Sequence, residues 1–301
     1  MMILLAAGLL AIAQSHDSVL ERIQARIAEE PGAQVGLAYV DLESGDTLFV
    51  NADTSFHAAS TMKVPVMIEL FRRANSGSFR MNQGLLLVNR FASIADGSPY
   101  SLDLGSDSDS TLYHRIGERV RVDTLLRLMI TRSSNFATNT LITLVGAEAV
   151  TRTMRSLGAQ RIQVLRGVED GKAFEKGLNN TTTARDLSII LRAIQEGRAA
   201  PPEATREMLE ILLAQEFNEK IPAGLPAGTR VAHKTGEITA VSHDAAIVYP
   251  SGRKPYVLAV LTRGIPDGTR SSKLIADISA IVYAHSSGVA ARRTTSTQVA
   301  N

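Results

Sequence analysis

The chain has no cysteine. Disulfides, a thiol nucleophile, a lipid-modified cysteine and cysteine-bound zinc are all excluded by that absence. Its six histidines (His16, His57, His114, His233, His243, His285) are scattered, with no H-E-x-x-H spacing. No metal and no other cofactor is expected. Excess charge of one sign is missing too: 32 basic against 30 acidic residues leave a net charge of +2, with no basic stripe interleaved with aromatics. Nucleic acid is therefore not an expected partner. A long hydrophobic run occurs at Met1–Ala13, too short for a membrane span of about 20 residues. It ends in Ala11-Ile12-Ala13, an A-x-A cleavage pattern before Gln14, although no Lys or Arg precedes it. We read residues 1–13 as a signal peptide, which implies a periplasmic or secreted protein with no stable membrane anchor after cleavage.

What is present is an ordinary globular composition. Of 301 residues, 45% are apolar and 21% charged, enough to bury the core of one large domain or two intimate ones. Ser18-Val19-Leu20-Glu21 reads as a capping box opening a helix, with Leu20, Ile23 and Ile27 on one face. Pro31-Gly32 stops it. Val35 to Leu42 and Thr47 to Val50 read as strands joined at Ser44-Gly45-Asp46. From Ser60 the pattern turns helical, with Thr61–Ala74, Val122–Ile130, Phe136–Val145 and Arg185–Gln195 as the strongest segments. The last is opened by the capping signature Thr183-Ala184-Arg185-Asp186. Asn89–Thr111 and Gly167–Thr182 read as long loops, and loops of that length inside a compact domain are usually functional. Val231–Thr235, Asp244–Tyr249 and Tyr256–Thr262 read as strands, and Ser271–Ala284 as a closing helix. The polar tail 286–301 is expected to be disordered. The result is an α+β fold: an antiparallel sheet built from both ends of the chain (14–59 and 200–285) and flanked by helices, with an all-α part (60–199) inserted. A monomer is expected.

Three short motifs carry chemistry. Ser60-Thr61-Met62-Lys63 puts a hydroxyl and an amine at i and i+3 near the start of a helix, where they are neighbours on one face. A lysine whose ammonium form is disfavoured by burial or by nearby cations can take the serine proton. Ser133-Ser134-Asn135 falls between two apolar helices and can present a proton-relaying hydroxyl and an amide to a cleft. Lys234-Thr235-Gly236 ends an expected strand, where a cation and a hydroxyl can bind a carboxylate and glycine admits a second backbone. Taken singly, each is as well explained by helix capping or an exposed strand end.

Taken together, in this order, they resemble the class A β-lactamases among the serine penicillin-recognising enzymes. Leu128–Ser133 with Asn139-Thr140-Leu141, Thr181-Thr182-Thr183 and His243-Asp244-Ala245 extend the resemblance, which covers roughly Leu20 to Ala284. It implies that Ser60 is the acylated nucleophile, Lys63 its base or proton shuttle, and Ser133 the proton donor to the lactam nitrogen. Asn135 would bind the substrate's side-chain amide, and Lys234 and Thr235 its carboxylate. The N–H groups of Ser60 and Glu237, just after Gly236, would form the oxyanion hole. The substrate would be a β-lactam or a peptidoglycan-like small molecule.

The chain departs from the family at three points. The family's deacylating glutamate has two candidates: Glu175 fits the wording E-x-x-L-N through Asn179, whereas Glu169 fits the distance to the threonine run better. The loop reads as shortened. Ser134 stands where aspartate is usual, and Glu237 where a small residue is usual, which would repel an anionic substrate. Ser242 takes the position of the family's carboxylate-binding arginine, with Arg263 and Arg270 as compensating candidates. Besides hydrolysis of β-lactams, the set is compatible with a D-Ala-D-Ala peptidase or a penicillin-binding sensor that does not turn over.

Overall fold

The structure, a computed structural model, describes residues 17–298, with side chains described as far as residue 288. The expected leader, 1–13, lies outside the described residues. Helix α1 (17–28) is followed by the hairpin β1 (Gln34–Asp41) and β2 (Thr47–Val50), then by β3 (Phe56–His57). A 3₁₀ turn, Ala59–Met62, runs directly into α2 (Lys63–Asn75). Strand β4 (Gly84–Leu86) pairs with β7 (Arg119–Arg121), and between them β5 (Phe91–Ala92) and β6 (Pro99–Tyr100) form a small hairpin. Helices α3 (Val122–Thr131), α4 (Asn135–Val145) and α5 (Ala147–Ser156) come next. A loop holding the short α6 (Gly171–Glu175) leads to β8 (Thr181–Thr182), which pairs with β3. Then come α7 (Ala184–Gln195), α8 (Pro202–Leu213), β9 (Arg230–Ile238), β10 (Val241–Tyr249), β11 (Tyr256–Arg263) and α9 (Gly268–Gln298).

Five strands form one antiparallel sheet in the order β2-β1-β11-β10-β9, which joins both ends of the chain as expected. Both faces are covered, so its central strands are apolar on both sides rather than alternating. Val35, Leu37 and Tyr39 of β1 share one core with Leu258 and Val260 of β11 and with Ile23 of α1 and Ile278 of α9. Ala38, Ala259 and Ala245 lie opposite one another in three adjacent strands and belong to the other core. Helix α7 lies across those three strands, where a row of small side chains leaves room for its Leu187, Ile190 and Leu191.

Four expectations change. Strand β9 does not end at the third motif but continues to Ile238, because Ala240 takes a positive φ of 55° and closes a tight turn that pairs Ile238 with Val241. The segment 89–111 is not a plain loop, since it contains the β5–β6 hairpin. Helices α5 and α8 were not expected; α8 lies within 200–285 and packs on α3, α7 and β9. The tail is helical as far as Gln298 rather than unstructured. That segment lacks proline, and extending an already packed helix avoids the cost of nucleation.

Candidate active site

The nucleophile candidate sits on a strained and braced turn. Ala59, just before Ser60, has a φ of +44°, a costly conformation for a residue with a Cβ. The Ala59 N–H donates to His57 Nδ1 (3.0 Å), and Thr61 Oγ1 donates to the Ala58 carbonyl (2.5 Å). His243 secures the turn from beneath. Burial pushes its pKa down to about 4, so the ring is neutral at physiological pH; Nδ1 lies 2.7 Å from the Ser242 carbonyl oxygen and 3.2 Å from the Thr262 amide nitrogen, and Nε2 2.8 Å from the His57 carbonyl oxygen. The 3₁₀ turn has three residues per revolution, which stacks residue 63 over residue 60. Accordingly, the Lys63 N–H donates to the Ser60 carbonyl.

Lys63 is completely buried at the foot of the cleft. Its Nζ donates to the Ser133 carbonyl (2.5 Å), Ser133 Oγ (3.1 Å) and Asn135 Oδ1 (2.9 Å). Burial lowers its pKa to about 7, with the carboxylates of Asp107 and Glu169 opposing the shift. Lys234 is equally buried and donates to Ser133 Oγ (3.0 Å). Burial, with the Lys63 charge adding to it, pushes Lys234 well below the ordinary lysine range. Two lysines thus converge on one hydroxyl, that of Ser133, whose backbone is itself left-handed at φ +57°. Both its partners are donors, so the Ser133 proton is free to point into the cleft.

Gly236 is the point of closest approach between sheet and nucleophile. A Cβ there would lie 3.0 Å from the amide nitrogens of Ser60 and Thr61, so a larger residue would push β9 off the turn. As the outer strand of the sheet, β9 leaves one row of N–H groups unpaired by any neighbouring strand. Ser60, Ser133, Asn135, Thr235, Gly236 and Glu237 all line one cleft of about 1010 Å³. Lys220, a buried residue that the sequence did not single out, lines it too. Its Nζ is 2.8 Å from Glu237 Oε1, so the Glu237 carboxylate is neutralised rather than left to repel an anion. The expected compensating arginines lie elsewhere. Arg263 donates to Gln34 and the Ser55 carbonyl, and Arg270 to Glu30.

Ser60 also borders a second cavity, of about 440 Å³, together with Glu169. Glu169 Oε1 accepts from Asn135 Nδ2 (2.5 Å) and Oε2 from Ser106 Oγ (3.0 Å). Its φ is +59°. The orientation of the Asn135 amide follows from the Glu169 carboxylate, which only accepts, so that Nδ2 faces Glu169 and Oδ1 faces Lys63. Asn139 clamps the preceding residue, accepting from Val168 N–H (2.6 Å) and donating to the Val168 carbonyl (3.0 Å). Gly167 is obligatory beside it, since a Cβ would lie 2.3 Å from Asn139 Oδ1. Glu175 is exposed at the C-terminus of α6 and lines neither cavity. Among the described residues, no group of three or more His, Asp or Glu side chains is arranged to hold a metal ion, and no helix is long and apolar enough to cross a membrane.

Comparison with known proteins identifies the family. A family model described as the β-lactamase enzyme family matches residues 18–286. A β-lactamase of Streptomyces albus G is 28% identical over 267 residues, 87% of this chain and 83% of that one. The crystal structure of a β-lactamase from Sphaerobacter thermophilus is similar with a TM-score of 0.77 at 29% identity, covering 89% of this chain and 97% of that one. A mutant of PBP-A, solved as an acyl-enzyme complex with penicillin G, is similar with a TM-score of 0.74 at 29% identity, covering 89% and 95%.

Proposed function

The chain belongs to the β-lactamase enzyme family, and on that footing we propose that it is a serine hydrolase that opens β-lactam amides through an acyl-enzyme on Ser60. Neutral Lys63 takes the Ser60 proton, and Oγ attacks the lactam carbonyl carbon. The carbonyl oxygen gathers charge against the N–H groups of Ser60 and Glu237. As the C–N bond breaks, Ser133 gives its proton to the leaving nitrogen and is reprotonated from the lysines that bond it. Lys234, Thr235 and Lys220 hold the substrate carboxylate, and Asn135 its side-chain amide.

Hydrolysis then needs a base for the attacking water, and Glu169 is our assignment. The observation that carries it is the presence of the Glu169 carboxylate in the cavity that Ser60 borders. A second reading is favoured by the likeness to PBP-A, a mutant of which was solved as an acyl-enzyme with penicillin G. In that reading Ser60 is acylated but deacylation is slow, as in a D-Ala-D-Ala peptidase or a penicillin-binding sensor.

Mass spectrometry during reaction with benzylpenicillin separates these readings. Sustained turnover is expected from the wild type, a trapped acyl-enzyme from Glu169→Gln, and near-normal turnover from Glu175→Gln. A stoichiometric burst that stops in the wild type would sink the hydrolase reading. Release of D-Ala from a peptide ending in D-Ala-D-Ala would then select the peptidase. Ser60→Ala is expected to form no adduct at all.

A further inference from the structure

We propose that the surface segment Ser106-Asp107-Ser108 positions both halves of this active site, with the Asp107 carboxylate organising the second motif in place of an aspartate at position 134. Asp107 is a positioning residue, and it acts on α4, whose first residue is Asn135. Every early N–H of that helix has a partner, and only one of those partners is the side chain within the motif. Asn135 N–H donates to Asp107 Oδ1 (2.9 Å) and Phe136 N–H to Asp107 Oδ2 (2.9 Å). Ala137 N–H donates to Ser134 Oγ (3.3 Å), and Thr138 N–H to the Ser134 carbonyl (3.2 Å). Ser134 thus has one bond to offer through its side chain, and that a long one. The two short, charge-assisted bonds come from another loop. Tyr113 Oη donates to the same carboxylate (3.0 Å) and fixes its rotamer.

The neighbours of Asp107 hold two further pieces of the site. Ser108 Oγ donates to the Arg132 carbonyl (2.8 Å), the peptide just before left-handed Ser133. Ser106 Oγ donates to Glu169 Oε2 (3.0 Å). Three consecutive side chains therefore fix the entry to Ser133, the start of the Asn135 helix and the candidate deacylating carboxylate. Asp107 also acts through charge. The charged groups facing Lys63 are Asp107 from this segment, Glu169 from the loop before β8 and Lys234 from β9. Of these, the two carboxylates favour the protonated amine. Removing the Asp107 charge therefore makes Lys63 lose its proton at lower pH.

The rate effects rest on the acyl-enzyme reading above, whereas the positioning itself is testable in the resting protein. In Asp107→Asn, an isosteric change at a half-buried site, the Lys63 titration followed by ¹³C NMR is expected to move down by about half a unit. Amide exchange at Asn135 and Phe136 is expected to quicken about tenfold, since each loses its charged acceptor. Wild-type values of either quantity would overturn the proposal. With benzylpenicillin, Asp107→Asn is expected to slow acylation about tenfold, and Ser106→Ala to slow deacylation about fivefold more than acylation. Equal effects of Ser106→Ala on both steps would overturn the part assigned to Ser106. A wild type that forms no adduct would refute the acyl-enzyme reading instead, while titration and exchange still decide the role of Asp107.

Discussion

Lys63 combines two conditions that pull against each other. Its ammonium has three acceptors, one for each N–H, an arrangement that satisfies the charged form. Burial outweighs them and brings the pKa down to about 7. The base must be neutral to accept the Ser60 proton, so the active fraction grows as pH rises. Single-turnover acylation is therefore expected to climb about tenfold per pH unit on the acid side of 7 and to level off above it. Lys63→Arg, which keeps its proton throughout, is expected to acylate about 10³-fold more slowly at every pH. A flat profile would remove Lys63 from the role of base. The motif spacing put Lys63 one turn after Ser60, and the 3₁₀ turn links their backbones. The spacing could not reveal the burial that sets the pKa.

Lys220 marks the limit of what local pattern carries at this scale. No motif surrounds it, and only folding brings it against Glu237. Glu237, read alone, looked hostile to an anionic substrate, and the ion pair reverses that. Lys220→Ala leaves the carboxylate unpaired beside Lys234 and Thr235. A rise of about tenfold in KM for a carboxylate-bearing β-lactam is expected, with kcat nearly unchanged. The double variant with Glu237→Ala should recover part of the loss, since it removes the stranded charge. Equal kinetics for the single variant and the wild type would take Lys220 out of the binding site.

Among the elements, the loop from Arg166 to Asn180 is the most informative. Its lack of periodicity marked it as a functional loop, and of its two candidate glutamates Glu169 shares a cavity with Ser60 whereas Glu175 lines neither cavity that Ser60 borders. Three contacts that no pattern encodes decide which carboxylate lines a cavity with Ser60. Asp170 is buried and accepts from Ser93 Oγ (2.8 Å) and from the amides of Ile94 (2.9 Å) and Ala173 (3.1 Å), which turns α6 outward with Glu175 at its far end. Asn139 clamps Val168. Arg166 closes the loop, donating to the carbonyls of Leu178 and Gly167 and to Asn179 Oδ1. Removing its guanidinium strands the buried Gly167 carbonyl, at a cost of about 1–3 kcal/mol before relaxation, and releases the half-buried Leu178 carbonyl and Asn179 side chain. Arg166→Ala is therefore expected to loosen the loop and slow deacylation far more than acylation, as rapid-quench mass spectrometry would resolve. Equal losses in both steps would mean that the loop does not hold Glu169 in place. Helix α8, which was not expected, begins at Pro202, since proline in the first helical turn loses no bond.

Viewed whole, the molecule is a sheet with a separate core on each side, and the active site belongs to only one of them. Strands at both ends of the chain around a helical middle made that plan legible from the order of patterns alone. Ile23 of α1 is fully buried in the outer core with Leu274 and Ile278 of α9, and Arg26 ties the same two helices through Asp277 (2.8 Å). Met67 of α2 is fully buried in the other core, one turn beyond Lys63. Truncating either side chain to alanine removes comparable apolar volume and is expected to cost about 2–5 kcal/mol of stability. The functional consequences should differ. Ile23→Ala leaves the sheet between its cavity and Ser60, so kcat and KM are expected to hold at temperatures well below its lowered Tm. Met67→Ala leaves a cavity beneath the helix that carries Lys63, and a small displacement there is felt in the acylation rate. If Ile23→Ala reduced acylation as strongly as Met67→Ala in fully folded protein, the sheet would not be a rigid partition, and the two cores would have to be treated as one mechanical unit.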